Sequence, residues 1–294
     1  MPGDLHTHST FSDGSAPAAL VPWLAARAGL NWLALSDHDT LRSVRFAYEN
    51  PVQHGVRLIP ATELTAYDFE RGRRVHLLCY WPDLCAELET HCETMARRRN
   101  AVCGQSCAEL EQIYPQFSAE MARTLAQEGG VLFKAQIMDA LCGLGLADGV
   151  YRETYRELFG AQGGRVLHDP AYETVETVLA TARAARAVVV FAHPSVYGSM
   201  PLVRELAAQG KVDGLEIEHP RNTPEDKAEL YELARRYDLI VTGGTDFHGR
   251  YAGTHRPVGT CTTADGMIAR IEALARQRKG DQKEKGSKKE GPDL

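Results

Sequence analysis

The sequence contains no Cys-x-x-Cys pair, although seven cysteines are spread along its 294 residues. Structural zinc sites and disulfide frameworks use regularly spaced cysteines, so this distribution indicates reduced thiols that serve in packing. Long apolar runs are also absent. The longest, residues 187–192, is far below the ~20 residues that a membrane-spanning helix needs. Asp4 and His6 stand where a signal peptide would have its apolar core, so we expect a cytoplasmic protein.

Positive charge is scarce as well, with 33 Lys+Arg against 39 Asp+Glu and a formal net charge of -6. This balance argues against broad, sequence-independent attraction to nucleic acid, and it leaves short oligonucleotides as the only nucleic-acid partners to consider. We expect no membrane partner. The oligomeric state is left open by the sequence.

Strand-like and helical segments alternate at both ends of the chain, which is typical of parallel βα units. Strands are predicted at residues 3–5, 31–36, 57–59, 75–80, 187–192, 214–218 and 239–243. Helices are predicted between them, including residues 15–29, 201–209 and 224–237. In a βα barrel the carboxyl ends of the strands share one face, and active sites are built there.

The middle of the chain, residues 87–160, is almost wholly helical in pattern. We therefore predict a helical insertion between two parts of one barrel, residues 1–86 and 161–276. The last stretch, residues 277–294, is rich in Lys, Glu and Gly. It has too few apolar residues to offset its ordering entropy, so it is predicted to be disordered.

Imidazole and carboxylate side chains stand at or beside the end of nearly every predicted strand. His6 and His8 are two residues apart on an extended segment, so they project to the same side. The others are His38, Glu63, His76, His193, His219, Asp246 and His248. Taken alone, His76 could be a satisfied core histidine. As a set, these groups predict a metal site at one face of the barrel.

The ligand types limit the choice of metal. Imidazole and carboxylate without thiolate suit Mn²⁺, Fe²⁺ or Zn²⁺ in an open hydrolytic site. With about nine candidates and three or four ligands per ion, we expect two or three ions, with Glu63 bridging. Such clusters favour phosphoryl transfer because they generate hydroxide at neutral pH and neutralise charge on phosphate oxygens.

A combined pattern of short motifs runs through residues 4 to 248. Its members are Asp4-Leu-His6-Thr-His8-Ser9, Ser12-Asp13-Gly14, Ser36-Asp37-His38-Asp39-Thr40, Glu63, His76, Ala192-His193-Pro194 and Gly244-Thr245-Asp246-Phe247-His248. This pattern resembles the PHP (polymerase and histidinol phosphatase) family of metallophosphoesterases. The resemblance implies a distorted (β/α)7 barrel, an α/β fold, that holds a trinuclear metal centre.

The resemblance also implies a ligand set for each ion. The groups are His6, His8, Glu63 and Asp246; Glu63, His76 and His193; and Asp13, His38 and His248. We take His193, His219 and Asp246 as the catalytic candidates. Asp37 and Asp39 are expected to orient ligand imidazoles from behind. Because no ligand is missing, a non-catalytic PHP binding module is disfavoured.

Substrate contacts are expected from the insertion and from loops near it. The resemblance is to a branch of small phosphatases and phosphodiesterases, many of which clamp phosphate with an Arg-Pro-His segment. This chain differs, since it reads Leu132-Phe133-Lys134-Ala135 there, and Lys134 supplies a point charge instead. The other phosphate-side candidates are Arg165, His168 and Arg221. The run Arg97-Arg98-Arg99 is interpreted as a solvated helix face.

The expected function is hydrolysis of a small phosphorylated metabolite, a cyclic sugar-phosphate diester or a nucleotide phosphate, by a hydroxide that bridges the metal ions. Three related activities remain as alternatives: a 5'-3' exoribonuclease, a nucleoside 3',5'-bisphosphate phosphatase and a histidinol-phosphatase-like monoesterase. A different class, metal-dependent amide or lactone hydrolysis, would use similar ligands. It would lack the cationic pocket lining that phosphate demands.

Overall fold

The structure, a computed structural model, describes residues 2–287. Its strands are β1 (Gly3–Thr7), β2 (Trp32–Leu35), β3 (Val52–Gln53), β4 (Val56–Leu58), β5 (Ala61–Asp68), β6 (Arg73–Tyr80), β7 (Glu173–Thr174), β8 (Val188–Phe191), β9 (Gly214–Glu218) and β10 (Ile240–Gly243). Its helices are α1 (Val21–Arg27), α2 (Arg42–Glu49), α3 (Ala86–Ile113), α4 (Ala119–Leu125), α5 (Lys134–Gly143), α6 (Glu153–Phe159), α7 (Val175–Ala184), α8 (Met200–Ala208), α9 (Pro224–Arg236) and α10 (Asp265–Ser287).

The strands form two sheets, in the orders β1-β2-β4-β3 and β10-β9-β8-β6-β5-β7. Backbone hydrogen bonds join them at both edges. The Asp246 amide donates to the His6 carbonyl at 2.8 Å, which links β1 to the loop after β10, and the Glu63 amide donates to the Ser36 carbonyl at 3.0 Å. The sheets thus close into a barrel, and the expected distorted (β/α)7 barrel is confirmed.

The long strand β6 runs against both of its neighbours. β6 pairs antiparallel with both β5 and β8, whereas β1 with β2 and β8 with β9 are parallel. The expectation that every strand presents its carboxyl end to the site is therefore wrong for β6. His76 lies within this strand, opposite Thr65 of β5, and reaches the site from its side.

Apolar residues fill the barrel interior and cover its outside. The inner cluster includes Leu5, Leu78 and Val190, and the α10 residues Ile268 and Ile271 join it, so α10 covers one end of the barrel. A second cluster packs the outer face of the strands against α7, α8 and α9. The end left open by α10 is the one where the predicted metal ligands stand.

The helices α3 to α6 have an apolar cluster of their own, which includes Leu110, Ile137 and Leu158. Buried polar contacts attach them to the barrel near the site. The Gln136 side-chain amide of α5 donates to the Ser12 carbonyl at 2.8 Å, and the Tyr251 hydroxyl bonds the Asp139 carboxylate at 2.8 Å. The helical segment is therefore held over the open end of the barrel.

The chain end differs from the expectation. α10 continues to Ser287, so it extends past the boundary predicted at residue 277. The composition of this stretch gives no sign of the contact that holds the helix to the barrel: Arg278 makes two hydrogen bonds with the Asp213 carboxylate, at 2.9 and 2.5 Å. The rest of the predicted disordered tail, residues 288–294, lies outside the described residues.

All seven cysteines are free thiols, and four of them are buried. Both observations agree with the predicted role of the cysteines in packing. Within residues 2–287, no helix combines the length and the apolar character needed to cross a bilayer.

Candidate metal centre

Glu63, on β5, lies at the centre of a cluster of imidazoles. Its Oε2 is 3.1 Å from His6 Nε2, 3.2 Å from His8 Nε2 and 3.2 Å from His38 Nδ1. Its Oε1 is 2.9 Å from His76 Nδ1 and 3.0 Å from His193 Nε2. Five rings from different parts of the chain thus surround one fully buried carboxylate.

Two aspartates extend this cluster. Asp246 Oδ1 lies 3.3 Å from His8 Nε2 and 3.6 Å from His6 Nε2, and Asp13 Oδ1 lies 3.3 Å from His248 Nε2. Donor atoms close enough to share an ion form four groups: His8, Asp13, His38 and His248; His6, Glu63 and His193; His6, His8 and Asp246; and His38, Glu63 and His76. All nine predicted metal ligands are brought together, with His38 close to Glu63 and His76 as well as to Asp13.

Unusual backbone positions direct these side chains. His193 and Asp246 have positive φ angles of 27° and 55°, a conformation that non-glycine residues adopt mainly where the surrounding structure imposes it. Gly244 leaves room for the neighbouring strand, since a Cβ there would lie 2.2 Å from His6 Cβ. The Gly-Thr-Asp motif therefore combines a close strand contact with a sharp turn that points Asp246 into the site.

Burial and charge act in opposite directions on the cluster. Burial alone would raise the pKa of the Glu63 carboxyl, but the charges of His6 and His76 hold that pKa well below its usual range. Burial opposes a charged His8 ring, yet hydrogen bonds with Asp246 and Glu63 raise its pKa to about 10. Burial lowers the pKa of His38 to about 3. Without metal, the cluster therefore holds protons, and a cation must displace them when it binds to these side chains.

The donor atoms fit divalent metal ions. With metal-nitrogen bonds of about 2.0–2.1 Å, tetrahedral ligand atoms lie roughly 3.3 Å apart, which matches the separations around Glu63 and Asp246. Several buried polar atoms also have no hydrogen-bond partner among the described residues: His8 Nδ1, Asp13 Oδ1, His38 Nδ1 and His76 Nδ1. A buried polar atom without a partner costs about 1–3 kcal/mol, and coordination would satisfy such atoms.

A buried carboxylate that the sequence analysis missed lies behind His6. Glu216 Oε1 is 2.9 Å from His6 Nδ1, and its Oε2 accepts from the His193 amide at 2.9 Å. It therefore sets the orientation of one imidazole and the backbone of a second. No motif marks Glu216 in the sequence. The one indication is that a charged residue is unusual inside an apolar strand.

The roles predicted for Asp37 and Asp39 need correction, because neither makes a hydrogen bond to a ligand imidazole. Asp37 accepts from the hydroxyls of Ser9 and Ser12, at 2.8 and 2.7 Å, and so fixes the loop between His8 and Asp13. Asp39 bonds Arg99 at 2.6 Å. The Arg99 side chain is thus largely buried, so the interpretation of Arg97-Arg98-Arg99 as a solvated helix face is wrong for this residue.

We expect the change Glu216→Gln to weaken Mn²⁺ binding by about 10- to 100-fold, because one of its two acceptor atoms becomes a donor. The measurement is a Mn²⁺ titration of chelator-treated protein. Glu218→Gln is the matched control on the same strand, since Glu218 bonds Lys227 and Tyr231 away from the cluster. Equal affinities of the two variants would contradict this role.

A cavity of about 620 Å³ opens on the cluster, and its wall includes Asp13, His38, His76, His193, Asp246 and His248. Cationic side chains complete the wall: Arg74, Arg99, Lys134, Arg221 and Arg256. Burial lowers the pKa of Lys134, and the bond with Asp169 opposes that shift. This lining suits an anionic ligand that lies across the metal ligands.

The residues predicted to bind substrate fall into two groups. Lys134, His168 and Arg221 line the cavity, and His168 also contacts Glu109 at 2.9 Å. The structure does not bring Arg165 to the cavity: this residue is exposed, and backbone bonds from Gly164 and Arg165 to Gly160 and Glu157 fold its loop back onto α6.

The three catalytic candidates also differ in whether they line the cavity. His193 and Asp246 line the cavity, but His219 is fully buried and does not. Its Nε2 lies 3.4 Å from Asp246 Oδ2, and its Nδ1 accepts from the Arg221 amide at 3.1 Å. His219 thus lies beside Asp246, in a position to orient its carboxylate. Arg74 and Arg256, which also line the cavity, belong to no motif and were not predicted.

These features define a barrel hydrolase with a carboxylate and imidazole cluster. No family model matches the chain. The chain is 35% identical over 249 residues to phosphoribosyl 1,2-cyclic phosphate 1,2-diphosphodiesterase of Eggerthella lenta, over 84% of this chain and 94% of that protein. It is 29% identical over 255 residues to the 5'-3' exoribonuclease Rnm of Escherichia coli, over 83% of this chain and 84% of that protein.

Solved structures give the same result. A protein from Bifidobacterium adolescentis described as a metal-dependent phosphoesterase aligns with a TM-score of 0.82 and 26% identity, over 92% of this chain and 96% of that one. An amidohydrolase from Chromobacterium violaceum aligns with a TM-score of 0.77 and 21% identity, which shows a common fold alone. The chain belongs to the PHP family of metal-dependent phosphoesterases, hydrolases that act on phosphoric ester bonds.

Proposed function

We propose that this chain hydrolyses a cyclic phosphodiester carried on a small phosphorylated sugar. The cationic wall of a cavity of about 620 Å³, directly over the imidazole and carboxylate cluster, is the observation that carries this proposal. A cavity of that volume accommodates one small metabolite. The 35% identical relative from Eggerthella lenta is named for a cyclic phosphodiesterase activity of this kind.

The proposed cofactor is two or three divalent ions per chain, with Mn²⁺ as the first choice and Fe²⁺ or Zn²⁺ as alternatives. Their proposed ligands are the nine residues His6, His8, Asp13, His38, Glu63, His76, His193, Asp246 and His248. When bound, ions of this type activate water near neutral pH and stabilise negative charge on phosphate oxygens. The donor set, without thiolate, favours such ions over a structural zinc site.

The chain's own residues would orient the substrate. Arg221 and Arg256 reach the cavity from the segments after β9 and β10, and Lys134 reaches it from α5. Cations on more than one side of the cavity can hold the oxygens of a phosphodiester and stabilise the charge that builds up on them. The helices between residues 87 and 160 would act as an inserted subdomain that shapes this cavity and excludes water.

A 5'-3' exoribonuclease is the second candidate, because two features favour it. The Escherichia coli relative has that activity by name, and the tyrosines Tyr151, Tyr155, Tyr172 and Tyr197 in the cavity wall could stack on bases. The net charge of -6 and the lysine in place of an insertion arginine favour the small cyclic substrate. The free cysteines agree with a site of action in the cytoplasm.

The test is a comparison of substrates with Mn²⁺-loaded protein. We expect kcat/KM for a 5-phosphorylated pentose 1,2-cyclic phosphate to exceed that for a nucleoside 3',5'-bisphosphate or a 5'-phosphorylated RNA by at least about 100-fold, which corresponds to roughly 3 kcal/mol of transition-state binding. Amide and lactone substrates should give no turnover. A preference for RNA, or for an amide, would contradict the proposal.

A further inference from the structure

We infer that Arg74 and Lys134 form a separate subsite for a second phosphate group, so that the substrate is one that carries a phosphomonoester besides the ester that reacts. This inference rests on the proposed function and names what its substrate must contain. Arg74 belongs to no motif of the sequence, and it comes from a barrel strand.

The position of Arg74 relative to the metal ligands follows from the strand. It precedes His76 by two residues on β6, so both side chains project from the same face of the sheet. Two residues along a strand span about 6.7 Å. Both residues line the same cavity. The Tyr197 ring lies 5.7 Å from the Arg74 guanidinium and 5.1 Å from the His76 ring, so Arg74 is near enough to the cluster to bind the same substrate.

The guanidinium of Arg74 is held in place while part of its donor capacity stays unused. The group lies over the Tyr172 ring at 5.1 Å and over the Tyr197 ring at 5.7 Å. Its Nη2 is 3.5 Å from Asp169 Oδ1, and its buried Nε has no hydrogen-bond partner among the described residues. Arginine presents five N–H donors in a planar fork that matches a phosphate.

Lys134 completes the charge of the subsite. Its Nζ lies 2.8 Å from Asp169 Oδ1, the same oxygen that faces Arg74. Two cations thus share one carboxylate, which leaves a net positive charge in this part of the cavity wall. In this pair Arg74 would supply the bidentate geometry and Lys134 a point charge.

The phosphate groups of the substrate would then be divided between two places. The reacting ester would lie over the carboxylate and imidazole cluster, and a terminal phosphomonoester would lie at Arg74 and Lys134. A pentose or similar small sugar with two separated phosphate groups fits this arrangement. A substrate with a single phosphate would leave this subsite without its phosphate ligand.

The test uses two variants and two substrates with the Mn²⁺-loaded, full-length protein. Arg74→Met keeps most of the aliphatic stem, and Arg73→Met is the matched control, because Arg73 is its exposed neighbour on the opposite face of β6. The substrates are a pentose 1,2-cyclic phosphate with and without a 5-phosphate. Hydrogen bonds to a charged group contribute enough for a change of about 10- to 100-fold.

We expect wild-type protein and Arg73→Met to prefer the 5-phosphorylated substrate, and Arg74→Met to lose that preference by about 10- to 100-fold, chiefly through KM. Arg74→Lys should lose less. If the ratio between the two substrates is the same in Arg74→Met and Arg73→Met, the subsite is wrong. An equal loss on both substrates would also overturn it, since Arg74 would then act only through the fold.

A binding measurement separates this inference from the proposed function. Ribose 5-phosphate should bind Mn²⁺-loaded wild-type protein at least about 10-fold more tightly than Arg74→Met, with Arg73→Met like the wild type. If neither cyclic substrate is hydrolysed but this difference is found, the proposed function fails and the subsite stands. If hydrolysis is found and the three proteins bind ribose 5-phosphate equally, the subsite fails alone.

Discussion

Glu63→Gln lowers the turnover of any phosphoester substrate by at least about 1000-fold, because the carboxylate that five imidazoles surround loses the charge with which it would bridge metal ions. The side chain keeps its size, so the loss is chemical. Steady-state kinetics with saturating Mn²⁺ provide the measurement, and circular dichroism checks that the barrel is intact.

Glu70→Gln is the control for this variant, since Glu70 lies between β5 and β6 with its side chain 80% exposed. It should keep full activity. Asp13→Asn, at the other end of the cluster, should reproduce most of the loss. Retention of more than half of the activity in folded Glu63→Gln protein is incompatible with a bridging role for this residue.

Removal of metal should have an effect of similar size on activity and a clear effect on stability. Chelator-treated protein is expected to be inactive and to regain activity with Mn²⁺. An ion at 100 times its dissociation constant stabilises the folded state by about 2.7 kcal/mol, which raises the melting temperature of a chain of this size by roughly 5 °C or more. Differential scanning calorimetry at graded Mn²⁺ concentrations measures this shift.

The pH dependence of that shift has a definite sign. Only neutral imidazole coordinates metal, and the pKa of His8 is raised to about 10 in the metal-free cluster. Protons therefore compete with Mn²⁺, and the stabilisation should grow as the pH rises from 6 to 9, as long as the metal stays in solution. Ca²⁺, which prefers oxygen ligands, is the control cation and should give a smaller shift. A melting temperature that does not respond to Mn²⁺ would contradict the ligand assignment.

The sequence predicted that the candidate ligands lie together, but it did not predict most of the residues around them. His38, His193 and Asp246 follow strands and His6 lies near the end of one, and a closed barrel brings the ends of its strands together whatever their distance in sequence. The prediction thus needed only the strand positions and the residue types. His76 is the exception, because its strand runs antiparallel, and no periodicity in a short apolar segment shows the direction of a strand.

The substrate wall could not be predicted in the same way. Arg99 is buried against Asp39 while its neighbour Arg97 is not, and that difference depends on how α3 packs over the barrel. In the sequence, Arg165 and Lys134 were both candidates for phosphate binding. In the structure, the loop that carries Arg165 folds away from the cavity, whereas Lys134, at the start of α5, lines it. Glu216 carries no motif, and only the position of His6 in space explains its burial.

Metal content measured together with activity, on wild-type protein and Glu63→Gln purified and loaded in parallel, tests the central claim most directly. Elemental analysis should find two or three equivalents of Mn²⁺ per chain in active wild-type protein, and both the metal content and the hydrolysis of a cyclic phosphodiester should fall together in Glu63→Gln. Wild-type protein that hydrolyses the substrate fully with less than one equivalent of any divalent metal would contradict the account.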